Sequence, residues 1–149
     1  MAFIEVSRGN AGEFNVSASI TNTKNGKVIR FGLGDEVRKE AFPDAGKLAV
    51  DFGYGVDFGK ILLRPSMNGY AISGKGKTKS ISLLLSKAGI ESDNMSPEVV
   101  KHEINSKKGQ MIVTMPQSVV TSWKLNSFGK RRAVLADESD DLNGKFDES

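Results

Sequence analysis

The sequence predicts an α+β protein rich in strand: two pseudo-repeated β-α-β-β units forming one barrel-like core, followed by an acidic C-terminal tail. Three observations predict it. Short alternations of apolar and polar residues recur along the chain, the period-two mark of half-buried strands. Two hairpin patterns closed by proline, Lys47–Pro65 and Val99–Pro116, follow one another in similar order. Acids are absent from two long stretches and then concentrate near the C-terminus. The expected organisation is a single β-rich domain over 1–135, with pseudo-repeats at about 26–65 and 69–116, and a flexible acidic tail over 136–149.

Ala2–Val6 has the composition of a short strand, broken by the glycines and asparagine of 8–12. Phe14, Val16, Ala18 and Ile20 alternate with polar residues, so Phe14–Thr21 is a half-buried strand. Asn25-Gly26 tolerates positive φ and turns the chain back into Lys27–Leu33. Gly34–Phe42 reads as a short helix: Asp35 and Glu36 occupy its first turn, Arg38 and Lys39 follow, and Val37 and Ala41 share a face. Pro43, Asp44 and Gly46 end it. Leu48, Val50 and Phe52 then alternate, Gly53 and Gly55 open a turn, and Ile61–Leu63 return toward Pro65, which has no N–H for a sheet ladder.

Asn68–Ser73 reads as a turn and a short strand, and Gly74–Lys79 as a flexible cationic loop. Ser80–Ala88 is expected as a helix, because Gly89 suits the position after a helix and Lys87 suits its last turn. Ser96-Pro97-Glu98 reads as a capped turn before a second hairpin, Val99–Asn105 with Gln110–Met115. Gln117–Phe128 brings Val119, Val120, Trp123 and Leu125 to the core as a last strand or turn. Between the halves, Gly59 answers Gly109, Ile61–Leu63 answer Met111–Val113, and Pro65 answers Pro116 with one extra residue. One unit of roughly 40 residues buries too little apolar surface to fold alone, whereas two can interlock around a shared core.

The stretch 34–65, GDEVRKEAFPDAGKLAVDFGYGVDFGKILLRP, resembles the core of the AbrB-like swapped-hairpin DNA-binding proteins. Residues 35–40 resemble that family's short helix, 43–46 its turn and 59–65 its hairpin end, while Leu33-Gly34 stands in place of its Ile-Pro. The resemblance implies a barrel made from two such units, with basic residues near the first strand and helix on DNA. A duplication would let one chain imitate the family's dimer.

Composition narrows the function. At 38% hydrophobic, a chain of 149 residues can bury a substantial core. It has no cysteine, which excludes disulfides, thiolate metal sites and cysteine nucleophiles. No apolar run is long enough to span a bilayer, and the first residues lack the basic and apolar parts of a secretory signal, so a cytoplasmic location is expected. Enzyme signatures fail. Gly69–Lys75 begins like a phosphate-binding loop, but Gly76 stands where the metal-binding hydroxyl belongs. Gly76-Lys77-Thr78 has the ending, with Ala71 where the first glycine is needed. His102 is the single histidine and has no evident catalytic partner. No enzyme activity, cofactor or metal is expected.

Binding signals are stronger. Residues 136–149 carry six acids against Lys145, a net of −5, which leaves +8 on the other residues of a chain whose net charge is +3. Phe58–Ile90 and Ile104–Ala136 contain no acid, a pattern that fits a polyanionic partner or a solubilising surface. Lys75, Lys77 and Lys79 point one way if extended, and Lys60, Arg64, Lys130, Arg131 and Arg132 extend the basic set. Tyr54, Phe58, Tyr70 and Trp123 are candidate stacking residues, with core packing as the competing role for Trp123. Tyr54 and Tyr70 join the eight cations as the expected nucleic-acid contacts. In the tail, Asp137, Glu138, Asp140 and Asp141 with Phe146 are expected to engage a protein partner or to compete with nucleic acid for the basic surface. The expected function is a non-enzymatic nucleic-acid-binding regulator, DNA first, with no membrane partner and with self-association compatible. The alternative is a protein-interaction module, such as a phage-encoded inhibitor of a host protein or a virion component.

Overall fold

The computed structural model describes residues 14–74 and 78–134. The expected strand at Ala2–Val6, Lys75, Lys77 and the acidic tail lie outside the described residues.

β1 (Val16–Thr23) and β2 (Gly26–Leu33) form the first hairpin, in the register Val16–Leu33 to Thr23–Gly26. The loop is Lys24-Asn25, one residue earlier than the Asn-Gly signal implies, and Gly26 takes the positive φ as the first residue of β2. α1 (Asp35–Ala41) follows, with Val37 and Ala41 buried as their spacing requires. Asp35 holds Arg38 and Lys39 at 3.0 Å each. Hydrogen bonds from Lys39 and then Arg38 keep its carboxyl below the ordinary carboxylate range. β3 (Lys47–Phe52) and β4 (Lys60–Pro65) form the second hairpin, with a 3-10 turn at Gly55–Asp57 between them. β5 (Tyr70–Ala71) is two residues long.

β6 (Lys79–Leu84) corrects the sequence reading of Ser80–Ala88 as a helix. Its backbone pairs with β2, Ile81 opposite Phe31 and Leu83 opposite Ile29, and both side chains are buried. The serines at 80 and 82 and the apolar residues at 81 and 83 already alternate with period two, and tertiary pairing follows that pattern. The helix-end signals belong to a 3-10 turn, Leu85–Ala88, closed by Gly89 at φ 76°. β7 (Ile90–Glu91) leads to β8 (Met95–Asn105) and β9 (Gln110–Thr114). The expected capped turn at 96–98 lies inside β8. Its pairing with β1 shifts register between Ala18–Glu98 and Ile20–Met95, so two β8 residues oppose Ser19. Pro97 sits in that bulge, where a missing N–H is tolerated.

Eight strands form one sheet in the order β5-β3-β4-β9-β8-β1-β2-β6. It curls into a nearly closed barrel. Among the described residues closure rests on one bridge, in which Ser73 and Ser80 exchange backbone hydrogen bonds of 2.9 and 2.7 Å. Inward residues alternate along β1, β2, β4 and β9: Val16, Ala18 and Ile20, Ile29, Phe31 and Leu33, Ile61 and Leu63, and Met111 and Val113. They make one continuous core.

The last segment wraps the barrel. α2 (Gln117–Val120) sets Val120 against Gly59, β10 (Lys124–Leu125) pairs with β7, and residues 127–134 form a terminal helix, α3. Asn126 caps α3: its Oδ1 accepts the Gly129 N–H at 3.0 Å. Trp123 is buried and meets the Phe58 ring edge-on at 5.6 Å, so core packing is its role. Among the described residues, no helix is long and apolar enough to cross a membrane.

Candidate functional site

Because β5 is so short, it covers only Lys47 and Leu48 of β3. Among the described residues, no strand pairs with Val50–Phe52 on the side away from β4 or with Ile81–Leu84 on the side away from β2. A cleft of about 190 Å³ opens there, lined by Val50, Asp51, Phe52, Tyr54, Tyr70, Leu83, Lys87, Ala88, Phe128 and Arg132. α3 forms its outer wall. The helix is held close because Gly129 packs on Gly89, and the Asn126 N–H donates to the Gly89 carbonyl at 2.9 Å.

The chemistry of the cleft is aromatic and cationic. The Tyr54 hydroxyl donates to the Ala88 carbonyl at 2.6 Å, tying the β3–β4 loop to the 3-10 turn after β6. Burial pushes the Tyr54 phenol above its ordinary pKa, partly opposed by the positive charge of Arg132. The Lys87 ammonium lies 5.9 Å from the Tyr70 ring centre, and the Arg132 guanidinium 5.2 Å from that of Phe128. Both separations are within cation–π range. Among the described residues, Asp51 is the single acid lining the cleft. It accepts a 2.7 Å hydrogen bond from Arg64 Nε, across the β3–β4 hairpin. Among the described residues, neither Lys87 nor Arg132 makes an ion pair. Among the described residues the cleft therefore presents two cations, each beside an aromatic ring and outside any ion pair.

Of the residues expected from sequence, Tyr54, Tyr70 and Arg132 meet in this cleft, and Arg64 reaches its rim through Asp51. Lys130 and Arg131 are exposed on α3. Lys60 does not line the cleft; it lies on the outer side of β4, 3.9 Å from Asp57. Lys79 is engaged at the barrel seam, donating to the Gly74 carbonyl at 2.7 Å. Phe58 packs on Trp123 and is not a free stacking face.

Sequence reasoning missed Lys87 and Phe128 as site residues. Phe128 and Arg132 stand at i, i+4, the spacing of neighbours on one helix face. That signal was readable once 127–134 was taken as helical. Lys87 reaches Tyr70 only through the fold. Among the described residues there is no group of three or more acids and histidines placed to hold a metal ion. Comparison with protein-family models, curated proteins and solved structures found no match.

Proposed function

We propose that this chain is a non-enzymatic nucleic-acid-binding protein of regulatory character, and that its described binding surface is the cleft between β3, β6 and α3. The observation that carries the reading is the placement of two cations, Lys87 and Arg132, beside the rings of Tyr70 and Phe128 in one cleft. Cations bind phosphates and aromatic faces stack on bases, and proteins that hold single strands combine the two. Lys130 and Arg131 on α3 add positive charge beside the cleft, within an acid-free stretch.

The barrel is read here as a duplicated unit, in line with the AbrB-like resemblance. Phe31 pairs with Ile81 and Leu62 pairs with Ile112, and each pair is separated by 50 positions. A single twofold relation that adds 50 would place both pairs on its axis. Exchanging β1 with β5, β2 with β6, β3 with β8 and β4 with β9 leaves the neighbour relations around the barrel unchanged. In this reading the acidic tail competes with nucleic acid for the basic surface or recruits a protein. The test is a gel-shift comparison of duplex DNA, single-stranded DNA and RNA at about 50 mM salt. Binding to at least one is expected; binding to none would defeat the reading and leave the protein-interaction alternative.

A further inference from the structure

We propose that the cleft takes one unpaired base, so that the protein selects single-stranded over duplex nucleic acid. This rests on the nucleic-acid reading above and goes beyond it by naming the form of the ligand.

About 190 Å³ is below the roughly 300–1,000 Å³ of sites that enclose a whole drug-sized ligand, so the space suits one planar group. The cleft's origin gives the same answer. If the halves are related by 50 positions, the gap between β3 and β6 corresponds to the place that Val16–Ala18 of β1 fill between β8 and β2. In the second half the chain is instead turning at Ser66–Gly69, and β5 begins only at Tyr70. A strand's worth of wall is missing there, and aromatic side chains line the opening.

Charge and depth settle the form. Tyr54 and Tyr70 are half-buried, so their rings are recessed from the surface. A duplex keeps its bases stacked inside and offers phosphates and groove edges to a protein. It can reach Lys130 and Arg131, but it cannot lay a base on Tyr70. An unpaired base can enter against the rings of both Tyr70 and Phe128, taking the place of the Lys87 and Arg132 cations on them and leaving its phosphate to those cations. Asp51, already held by Arg64, does not offset those two cations.

The test uses the full chain and four probes: a short oligothymidine, the matching duplex, a free mononucleotide and inorganic phosphate. Tyr70→Leu and Phe128→Leu keep apolar bulk and remove a stacking face; Tyr70→Phe keeps the ring; Lys101→Ala on the outer side of β8 is the control. The wild type should bind the single strand more tightly than the duplex. Each leucine variant should weaken single-strand binding roughly 5- to 150-fold, the worth of one base–aromatic stack, and leave duplex binding in place. Tyr70→Phe and Lys101→Ala should bind the single strand as the wild type does. Weak mononucleotide binding that is lost in Tyr70→Leu supports the base pocket, whereas phosphate competing as well as the mononucleotide overturns it. Equal single-strand and duplex affinity, unmoved by the leucine variants, overturns the base pocket and leaves nucleic-acid binding standing. Failure to bind any strand overturns both. A leucine variant that loses its cooperative melt is replaced by Phe128→Ile at the exposed ring, with the same expected loss.

Discussion

Gly129→Ala tests how α3 is docked, and its cost can be worked from the structure. A Cβ built on Gly129 would overlap the carbonyl oxygen of Gly89, the atom that accepts the Asn126 N–H at 2.9 Å. The next atoms are the Gly89 carbonyl carbon at 2.9 Å and Leu125 Cδ2 at 3.1 Å; the leucine can yield, but the two nearest atoms are backbone and cannot. Overpacking of this kind costs about 1–3 kcal/mol. Loss of the Asn126 hydrogen bond adds about 0.5–1.5 kcal/mol. Alanine's better helix propensity returns about 1 kcal/mol. The net is about 0.5–3.5 kcal/mol, centred near 2. For a chain of this size, 2 kcal/mol lowers Tm by roughly 4–8 °C. Gly46→Ala is the matched control, because a Cβ there meets nothing within 4 Å and no positive φ is required. It should be neutral or slightly stabilising. Thermal unfolding followed by circular dichroism and by Trp123 fluorescence reads both. If Gly129→Ala melts with Gly46→Ala, the close Gly89–Gly129 packing is wrong and the outer wall of the cleft is not placed as described.

Three further outcomes follow from the same geometry. Ile81→Ala should cost about 2–5 kcal/mol in denaturant unfolding, because Ile81 is a core residue of β6 opposite Phe31; a cost below about 1 kcal/mol would remove β6 from the barrel. Tyr54 ionises later folded than unfolded, so its contribution to stability is complete below the unfolded phenol value near 10 and is lost as pH rises through the higher folded value. The alkaline fall in stability should be shallower in Tyr54→Phe, and identical profiles for the two proteins would refute the buried phenol. Deleting residues 136–149 should tighten nucleic-acid binding if the tail competes for the basic surface; unchanged affinity would sink the competition.

Much of the barrel was legible because local pattern and tertiary pairing agree. Phe14–Leu33 and Lys47–Pro65 carry clean alternation with glycine turns, and the Asp35–Ala41 helix has its charges in the order the dipole favours. Ser80–Ala88 was misread because two end signals, Lys87 and Gly89, belong to a single 3-10 turn and outweighed the alternation of Ser80, Ile81, Ser82 and Leu83. Ser96-Pro97-Glu98 was read as a capped turn because a bulge opposite Ser19 depends on a strand remote in sequence. The site was half legible. Tyr54, Tyr70 and Arg132 were named as separate candidates, yet their meeting depends on contacts across the fold, including Tyr54 with Ala88. Lys87 and Asp51 carry no local mark of their roles. The contact of Lys87 with Tyr70 and the hydrogen bond of Asp51 to Arg64 both form across the fold.

The central claim concerns a phosphate-bearing ligand at the Lys87–Arg132 cleft, and a salt titration of single-strand binding addresses it most directly. Lys87, Lys130, Arg131 and Arg132 are four cations at the site, and each phosphate neutralised on a single strand contributes a slope of about −0.7 in log affinity against log salt. The account predicts a linear fall with slope near −3, made shallower by about 0.7 in Arg132→Gln. Affinity independent of salt, or no binding at about 50 mM salt, would contradict it.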